Sequence, residues 1–417
     1  MRIRLAIAIA VLIGVLLRLR ALATEFWLDE IWSLRIAQEA RSWTDIFTRL
    51  AHDNNHPLNT LFLYVLGEQP NWIWYRALSF TAGLALIALM IRAARSDSER
   101  IAIAIFASLS APIVVYSTEA RGYALAAMLC VAAYVWRERP VISAIAITIA
   151  LFAHLTAVFI LAGLFADTIR RRKFVFYAIP VAALAVLYVA FLSKIHIGGG
   201  PPGAKLSAAI EAAAQILGGS GLLAALLAIV IVVYELVKRD DRLFFIVALF
   251  VAPAIVVALH HGEYMSPRYF FVCLPFALLL LASFVARKPA AGIAIVVIWL
   301  IATTAQLLPF LRYGRGTYIE AMRFMRAGVA SGDNDFRNGT VAGYYQRFAP
   351  NLRYGANGDW YLIESFGDYT TLPRAITTNG AHYTIARVFP YGGFSGWTWL
   401  VYRRDAPALS NPASIQR

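Results

Sequence analysis

Side chains that can move protons or bind anions recur at one end of the apolar runs of this 417-residue chain. A carboxylate can take the proton of an attacking hydroxyl, an imidazole can exchange protons or bind a metal, and a guanidinium offers a flat fork of donors that matches a phosphate. Sharing this position are Asp29, Glu30, His52, Asp53, His56, Glu119, Arg121, His154, His260, His261, Glu263 and Arg268. We therefore expect a site that meets a molecule with an apolar tail and a charged head.

The two acids Asp29 and Glu30 follow the aromatic pair Phe26-Trp27, which is typical of a membrane interface. They also suit the first turn of a helix, because carboxylates favour the positive end of the helix dipole. Adjacent residues point to different sides of a helix, so at most one acid is expected to face a substrate squarely. Catalysis and helix capping both remain open on residue type alone.

The segment 117–123, with the sequence Ser-Thr-Glu-Ala-Arg-Gly-Tyr, predicts a tight turn between two apolar runs. Glu119 and Arg121 could close this turn as a local ion pair, or Arg121 could bind an anion. His154 lies at a predicted turn inside another apolar run. A histidine in such a position more often forms a hydrogen bond at the interface than acts as a ligand.

A metal site has weak support in the sequence. The spacing of His52, Asp53 and His56 approaches that of metal ligands, but an isolated match in a polar loop carries little weight. The group His260, His261 and Glu263 is interpreted first as a solvated loop. The two cysteines, Cys130 and Cys273, lie in apolar runs, which excludes a disulfide framework and a CxxC metal site. A divalent metal ion is thus left open, with His52, Asp53 and His56 as its candidates.

The composition indicates which kind of fold must position these groups. A content of 60% hydrophobic and 15% charged residues, with a mean hydropathy of +0.64, predicts a polytopic membrane protein. Spans of roughly 20 residues fit the apolar runs near 3–23, 72–92, 101–117, 121–136, 174–192, 220–237, 243–260, 269–286 and 291–310. The run 141–169 is expected to form two short helices that turn near His154. The prediction is about eleven spans.

Basic residues set the orientation. Lys and Arg crowd alternate connections, including 92–100, 137–139, 170–173 and 238–242, which predicts a cytoplasmic N-terminus, an uncleaved first span and an extracytoplasmic C-terminal tail. Arg18 and Arg20 are expected to anchor the first span at the interface. Because the net charge of +14 lies mainly in these connections, nucleic acid is not expected as a partner.

The loops and the tail complete the expected organisation. The outer loop 24–71 has helical spacing after residue 29 and again after His56-Pro57. The loop 193–219 predicts a glycine- and proline-rich hinge followed by an interfacial helix that could act as a lid. After a membrane part at 1–310, residues 311–417 predict a small α/β domain with a helix near 317–330 and strands near 340–345, 383–389 and 397–403. The sequence has no Walker or GxGxxG motif, so an ATP-driven or dinucleotide enzyme has no support.

Several segments, taken together, resemble the GT-C superfamily of membrane glycosyltransferases. They are Phe26-Trp-Leu-Asp-Glu-Ile-Trp-Ser-Leu-Arg-Ile-Ala37, His56-Pro57-Leu58, Ser117-Thr-Glu-Ala-Arg-Gly-Tyr123 and Ser266-Pro-Arg-Tyr269 with Pro275. Within the superfamily, the chain is similar to bacterial members of the protein mannosyltransferase type and to the aminoarabinose transferase of lipid A. The resemblance covers residues 1 to about 310. Many relatives read HPPL or HPPLY where this chain has a leucine and then Asn59 after the first proline.

The resemblance implies an inverting transfer of a sugar from a polyprenyl-phosphate donor to a glycan, lipid or protein acceptor at the outer face of the bacterial cytoplasmic membrane. The acid of the first loop is the family's base, which places that role on Asp29 with Glu30 beside it. The lipid phosphate and the sugar would be bound by Arg121, Tyr123, Glu119, His56, Arg268 and Tyr269. Some relatives use a divalent metal and others do not. Two other classes remain: a transporter or flippase for lipid-linked sugars, and a non-catalytic assembly subunit.

Overall fold

The computed structural model describes residues 2–170, 174–190, 192–195, 205–259 and 265–405. The chain forms two compact units. The first comprises Met1–Ala23 and Trp32–Leu311, and the second comprises Thr24–Ile31 and Arg312–Arg417. The predicted division after residue 310 lies next to the observed one, but Thr24–Ile31, which the sequence assigns to the membrane part, is grouped with the C-terminal residues.

Among the described residues of the first unit, every regular element is a helix. Its α-helices are Arg2–Leu22, Leu28–Glu39, Asp45–Thr48, Pro57–Leu66, Ala77–Ala93, Asp97–Leu109, Ala111–Tyr116, Tyr123–Val135, Pro140–Ala153, Val158–Arg170, Ala178–Ala190, Lys205–Ala214, Gly221–Leu236, Arg242–Ile246, Ala252–Leu259, Leu274–Arg287 and Pro289–Tyr313. The helix Leu28–Glu39 is divided between the two units. Short 3₁₀ turns lie at Trp72–Arg76, Leu155–Ala157, Phe174–Tyr177, Leu192–Lys194, Gln215–Leu217 and Pro267–Cys273, and a π turn lies at Val247–Val251.

Five helices among the described residues are long and apolar enough to cross a membrane. They are Arg2–Leu22, Trp72–Ala93, Arg242–Leu259, Pro267–Arg287 and Pro289–Met325. A sixth arises if Lys205–Leu217 and Gly221–Leu236, which are bent by 64°, count as one span. Most of the other apolar runs form helices of 10–17 residues. The chain is thus a mostly helical membrane protein, but the expected eleven spans are not found.

Local breaks explain the shorter helices. The run 101–117 is divided at Ser110, which leaves helical geometry just before Pro112, and proline cannot continue a helix from the preceding turn. The run 141–169 is divided at His154, which is extended (φ −163°, ψ 132°). This confirms the predicted pair of short helices that turn at His154. The helix expected within 193–219 is confirmed as Lys205–Ala214, while the hinge at 198–203 lies outside the described residues.

Arg18 is not the interface anchor that the sequence suggests. Its side chain is fully buried in the first unit and donates to three main-chain carbonyl oxygens, those of Gly14, Ala107 and Ser108, at 2.8–3.1 Å. Two of these three bonds go to carbonyl oxygens at the end of the helix Asp97–Leu109, where carbonyl groups lack helical partners. Arg18 therefore joins the first helix to Asp97–Leu109 instead of reaching out of the membrane.

A buried carboxylate joins three of the connections predicted to be cytoplasmic. Asp241 accepts hydrogen bonds from Tyr134 (2.7 Å) and Arg239 (2.8 Å), and longer ones from Arg95 (3.2 Å) and Arg137 (3.3 Å). Burial alone would raise the pKa of Asp241, but the bonds from Arg239 and the neighbouring positive charges hold that pKa well below its usual range. Asp241 is thus a charged cross-link between chain segments that are distant in sequence.

The second unit is built on a six-stranded sheet in the order β2-β1-β3-β6-β5-β4. The strands are β1 (Ala327–Gly332), β2 (Asn351–Tyr354), β3 (Trp360–Ser365), β4 (Ala375–Thr378), β5 (Ala381–Phe389) and β6 (Thr398–Arg404), and the helices are Tyr318–Met325, Asp335–Tyr344 and the 3₁₀ turn Gln346–Phe348. β1 pairs in parallel with β2 and β3, and the remaining pairs are antiparallel. Tyr383, Leu400 and Tyr402 form a core against one face.

The prediction of an α/β arrangement in this unit is confirmed, with two changes in detail. Strands expected near 383–389 and 397–403 are β5 and β6, but the helix expected to reach residue 330 ends at Met325 and gives way to β1. Residues 340–345, expected as a strand, lie mainly in the helix Asp335–Tyr344. This helix begins because the side chain of Asn334 accepts a hydrogen bond from the backbone N–H of Arg337.

Candidate functional site

Four connections of the first unit bring their polar residues together. His56 precedes the helix Pro57–Leu66, Arg121 ends the turn before Tyr123–Val135, His154 divides the apolar run 141–169, and Arg268 lies in the 3₁₀ turn Pro267–Cys273. We call His56, Arg121, Tyr123, His154 and Arg268 the Arg121 cluster. Four of these five residues, all except His154, are among the six that the sequence predicts for substrate binding.

The centre of the Arg121 cluster is a hydrogen-bonded pair. Nη2 and Nε of Arg121 lie 2.7 and 3.2 Å from Nε2 of His56, and both side chains are buried. Because arginine has donors and no acceptor, Nε2 of His56 must accept, and the proton of the neutral ring is on Nδ1. The imidazole is therefore neutral and fixes the orientation of the guanidinium.

The protonation of His56 follows from its surroundings. Burial, aided by the positive charge of Arg268 and opposed by Asp53, lowers the pKa of His56 to about 4. At neutral pH His56 therefore remains an acceptor for Arg121.

Aromatic rings enclose the cluster. The ring centroid of Tyr123 lies 4.4 Å from that of His154, 5.5 Å from that of His56 and 5.1 Å from that of Tyr116, and the imidazoles of His56 and His154 stack at 4.7 Å. Cζ of Arg121 lies 5.2 Å from the Tyr123 centroid, within range of a cation–π contact. The cluster thus combines a buried cation with flat apolar surfaces.

The hydroxyl of Tyr123 lacks a hydrogen-bond partner in the part of the chain that the structure describes, although the residue is only 1% exposed. A buried hydroxyl without a partner costs about 1–3 kcal/mol. Such a cost is commonly tolerated where a ligand completes the bond. The Tyr123 hydroxyl is therefore a candidate donor to a bound molecule.

Main-chain contacts hold the turn that carries Arg121. Asn59 donates to the carbonyl oxygen of Ala120 at 2.9 Å, and Ser79 donates to that of Arg121 at 2.8 Å. A side chain at Gly122 would collide with the carbonyl oxygen of Ala153, so glycine is required for this close approach. Asn59 stands in the segment where this chain departs from the HPPL pattern, and its amide supports the turn directly.

The other two predicted binding residues, Glu119 and Tyr269, lie in different parts of the first unit's connections. Glu119 is fully buried within the same turn as Arg121. Tyr269 lies beside Arg268, whose Cζ is 5.9 Å from the Tyr269 ring centroid, and the next residue but one, Phe271, packs edge-on against Tyr116 at 4.8 Å. The 3₁₀ turn Pro267–Cys273 is therefore a wall of the Arg121 cluster.

The described residues contain no group of three or more histidine, cysteine, aspartate or glutamate side chains placed to hold a metal ion. Nδ1 of His52 lies 2.9 Å from Asp53 and accepts a hydrogen bond from the backbone N–H of Asn54, while its ring stacks on Trp32 at 5.3 Å. His56 is committed to Arg121. The segment with His260, His261 and Glu263 lies outside the described residues.

The predicted catalytic acids belong to the second unit, in the first turn of Leu28–Glu39. Asp29 is half-buried. Glu30 is fully buried, and its Oε2 lies 3.7 Å from Nε of Arg315, which is also fully buried. Glu30 thus forms a buried ion pair inside this unit, whereas Asp29 keeps partial access to solvent. No pattern in the sequence singles out Arg315, because it lies in a turn of the tail, far along the chain from either acid.

No protein-family model matches the sequence, and no curated protein matches it. The fold and the site therefore define a class only: a helical membrane protein with a C-terminal α/β domain and a buried guanidinium–imidazole cluster. Any more specific function rests on the chemistry of these residues and on the motif resemblance.

Proposed function

We propose that the protein is a GT-C-type glycosyltransferase that moves a sugar from a polyprenyl phosphate to a glycan, lipid or protein acceptor. The proposal places the reaction at the outer face of the bacterial cytoplasmic membrane, with the N-terminus inside and the C-terminal domain outside. It assigns lipid-phosphate binding to Arg121, with support from Arg268, and the role of base to Asp29.

The observation that carries the proposal is the buried bond between Arg121 and His56. A guanidinium held by a neutral imidazole is oriented without losing its charge, which suits the recognition of a phosphate monoester or diester. The cluster lies at the ends of apolar helices, where a polyprenyl tail can remain in the bilayer. The rings of Tyr123 and His154 offer flat surfaces of the kind that sugars stack on.

The proposed reaction balances as a displacement at the anomeric carbon. The acceptor oxygen forms a bond to this carbon while the bond between the carbon and the phosphate oxygen breaks, and configuration inverts. The electron pair of the broken bond stays on the lipid phosphate, where positive charge stabilises it. The proton of the acceptor hydroxyl passes to the carboxylate of Asp29.

The test is release of free polyprenyl phosphate by the purified full-length protein, supplied with a panel of polyprenyl-phosphate sugars and a membrane extract as acceptor. We expect release by the wild type and its loss in Asp29→Asn and Arg121→Gln. Glu39→Gln, an exposed acid at the far end of the same helix as Asp29, and Arg100→Gln, an exposed arginine, are the matched controls and should keep full release.

Three other outcomes would overturn the proposal. Retention of the donor lipid by the wild type, with no release from any donor of the panel, would indicate a transporter or flippase for lipid-linked sugars. Full release in Asp29→Asn would remove this residue from the chemistry. A protein that neither binds nor cleaves the donors would fit an assembly subunit.

A further inference from the structure

The segment Thr24–Ile31, which carries Asp29, folds as part of the C-terminal unit, although residues 32–311 separate it from the rest of that unit in sequence. Phe26 and Ile31 are fully buried, and Trp27 and Leu28 are 6% and 7% exposed. The segment is therefore a component of that unit's core. Its conformation depends on what residues 312–405 provide.

One side chain contacts both ends of the segment. Nη1 of Arg315 donates a 2.6 Å hydrogen bond to Oγ1 of Thr24, and Nε of Arg315 lies 3.7 Å from Oε2 of Glu30. Arg315 is fully buried, as is Glu30, and Thr24 is 6% exposed.

Two further bonds fix the middle of the segment. Oε2 of Glu25 accepts from the backbone N–H of Ile319 at 2.9 Å, and the carbonyl oxygen of Phe26 accepts from the Tyr345 hydroxyl at 2.8 Å. The Phe26 ring also stacks on Tyr344, with centroids 6.0 Å apart. Every anchor comes from the C-terminal residues and lies within five positions of Asp29.

The turn that carries Arg315 is itself fixed. Its carbonyl oxygen accepts a 2.9 Å bond from the Tyr318 hydroxyl, which in turn accepts from the backbone N–H of Trp397. Gly396 has a φ of +94°, and a side chain there would collide with the carbonyl oxygen of Arg315. The main chain at Arg315 is therefore held by residues 396 and 397, which lead into β6.

We infer that Arg315 is a positioning residue: together with Thr24 and Glu30 it holds the segment that presents Asp29, so the C-terminal unit takes part in catalysis by placing the base. This inference rests on the proposed role of Asp29. It gives the C-terminal unit a function that its sheet alone does not suggest. Arg315 acts through the segment and not on the substrate.

The experiment uses the full-length protein and two kinds of variant. Thr24→Val removes the acceptor of the Arg315 bond at constant shape, and Thr24→Ser keeps the hydroxyl as the matched control. The double variant Glu30→Gln with Arg315→Met removes both buried charges, because loss of one partner alone would leave an uncompensated buried charge and endanger folding. Hydrogen exchange is measured in peptides from 24–31 and, as a folding control, from β5 and β6.

We expect exchange in 24–31 to accelerate about tenfold in Thr24→Val and in the double variant, while β5 and β6 keep their protection. The kcat for lipid-phosphate release should fall about tenfold with an unchanged KM for the donor, and Thr24→Ser should restore both. Unchanged exchange in both variants would overturn the inference, as would faster exchange with an unaltered kcat. If the wild type releases no lipid phosphate, the proposed function fails, and the exchange measurement decides alone whether Arg315 holds the segment.

Discussion

Arg121 donates its shortest hydrogen bond, 2.7 Å, to Nε2 of His56, a residue 65 positions earlier in the chain. The bond is buried, and one partner is charged while the other is neutral. The two side chains therefore have different functions: the imidazole of His56 orients the guanidinium, and the guanidinium of Arg121 carries the positive charge. The consequences can be measured.

The first prediction concerns the orientation of Arg121. His56→Ala removes the acceptor, and we expect lipid-phosphate release to fall about 10- to 100-fold, which corresponds to the 1.5–3 kcal/mol of a bond to a charged group. His56→Gln can present a carbonyl oxygen to the same guanidinium and should retain more release than His56→Ala. Equal loss in both variants would mean that the imidazole does more than accept this bond.

The second prediction concerns pH. The pKa of His56 is about 4 in the folded protein and near 6.5 when the chain is unfolded, so the unfolded chain takes up a proton first as pH falls. The stability that neutral His56 contributes is complete above about pH 6.5 and is lost progressively as pH falls towards 4. Thermal unfolding of the detergent-solubilised protein from pH 7.5 to 4 should show a shallower decline in His56→Gln than in the wild type. Parallel declines would contradict the buried, neutral state of His56.

The third prediction contrasts two buried tyrosines. Tyr123→Phe removes a hydroxyl without a partner among the described residues, so the variant should be as stable as the wild type or more stable, yet bind donor lipid more weakly. Tyr177→Phe removes a hydroxyl that bonds to Ser143 at 2.7 Å, and it should lose about 1 kcal/mol with unchanged lipid binding. Unfolding temperature and a lipid-binding titration on each variant provide the comparison. A stability loss in Tyr123→Phe would show that its hydroxyl is already satisfied.

The fourth prediction concerns the charged cross-link at Asp241. Asp241→Asn leaves the buried guanidinium of Arg239 without its counter-charge, and we expect a loss of about 3 kcal/mol in the free energy of unfolding. Asp97→Asn, in an exposed pair with Arg100, is the control and should change stability by less than about 1 kcal/mol. Denaturant titration of both variants measures the difference. Similar small losses would mean that water reaches the Asp241 carboxylate.

Sequence periodicity predicts local structure well where one pattern dominates. The helices after Leu28 and Pro57, the turn at His154 and strands β5 and β6 follow from amphipathic spacing, proline placement and alternation. The span count fails because several apolar runs form helices of only 10–17 residues, and because hydropathy does not register the break at Ser110. A run can be apolar enough for a membrane and still be divided by one residue that leaves helical geometry.

The candidate site is predictable only where its residues share a short motif. Arg121 and Tyr123 stand out together in one turn, and His56 precedes a helix-starting proline. The inward place of His154 and the bond from Asn59 to Ala120 depend on how helices pack, and no spacing in the sequence encodes that. Arg315 is the extreme case, because its partner Thr24 is 291 positions away.

That separation has a consequence for the order in which the protein is made. Thr24–Ile31 leaves the ribosome before Arg315, Ile319 and Tyr345, which are synthesised only after the helices of the first unit. At roughly 5–20 residues per second, the segment waits on the order of tens of seconds before its anchors exist. During this interval the growing chain has its helices but lacks the core into which Phe26 and Ile31 pack. Completion of the segment that carries Asp29 therefore waits for the second unit, and a chain whose synthesis stops before Arg315 would lack every one of the anchors described above.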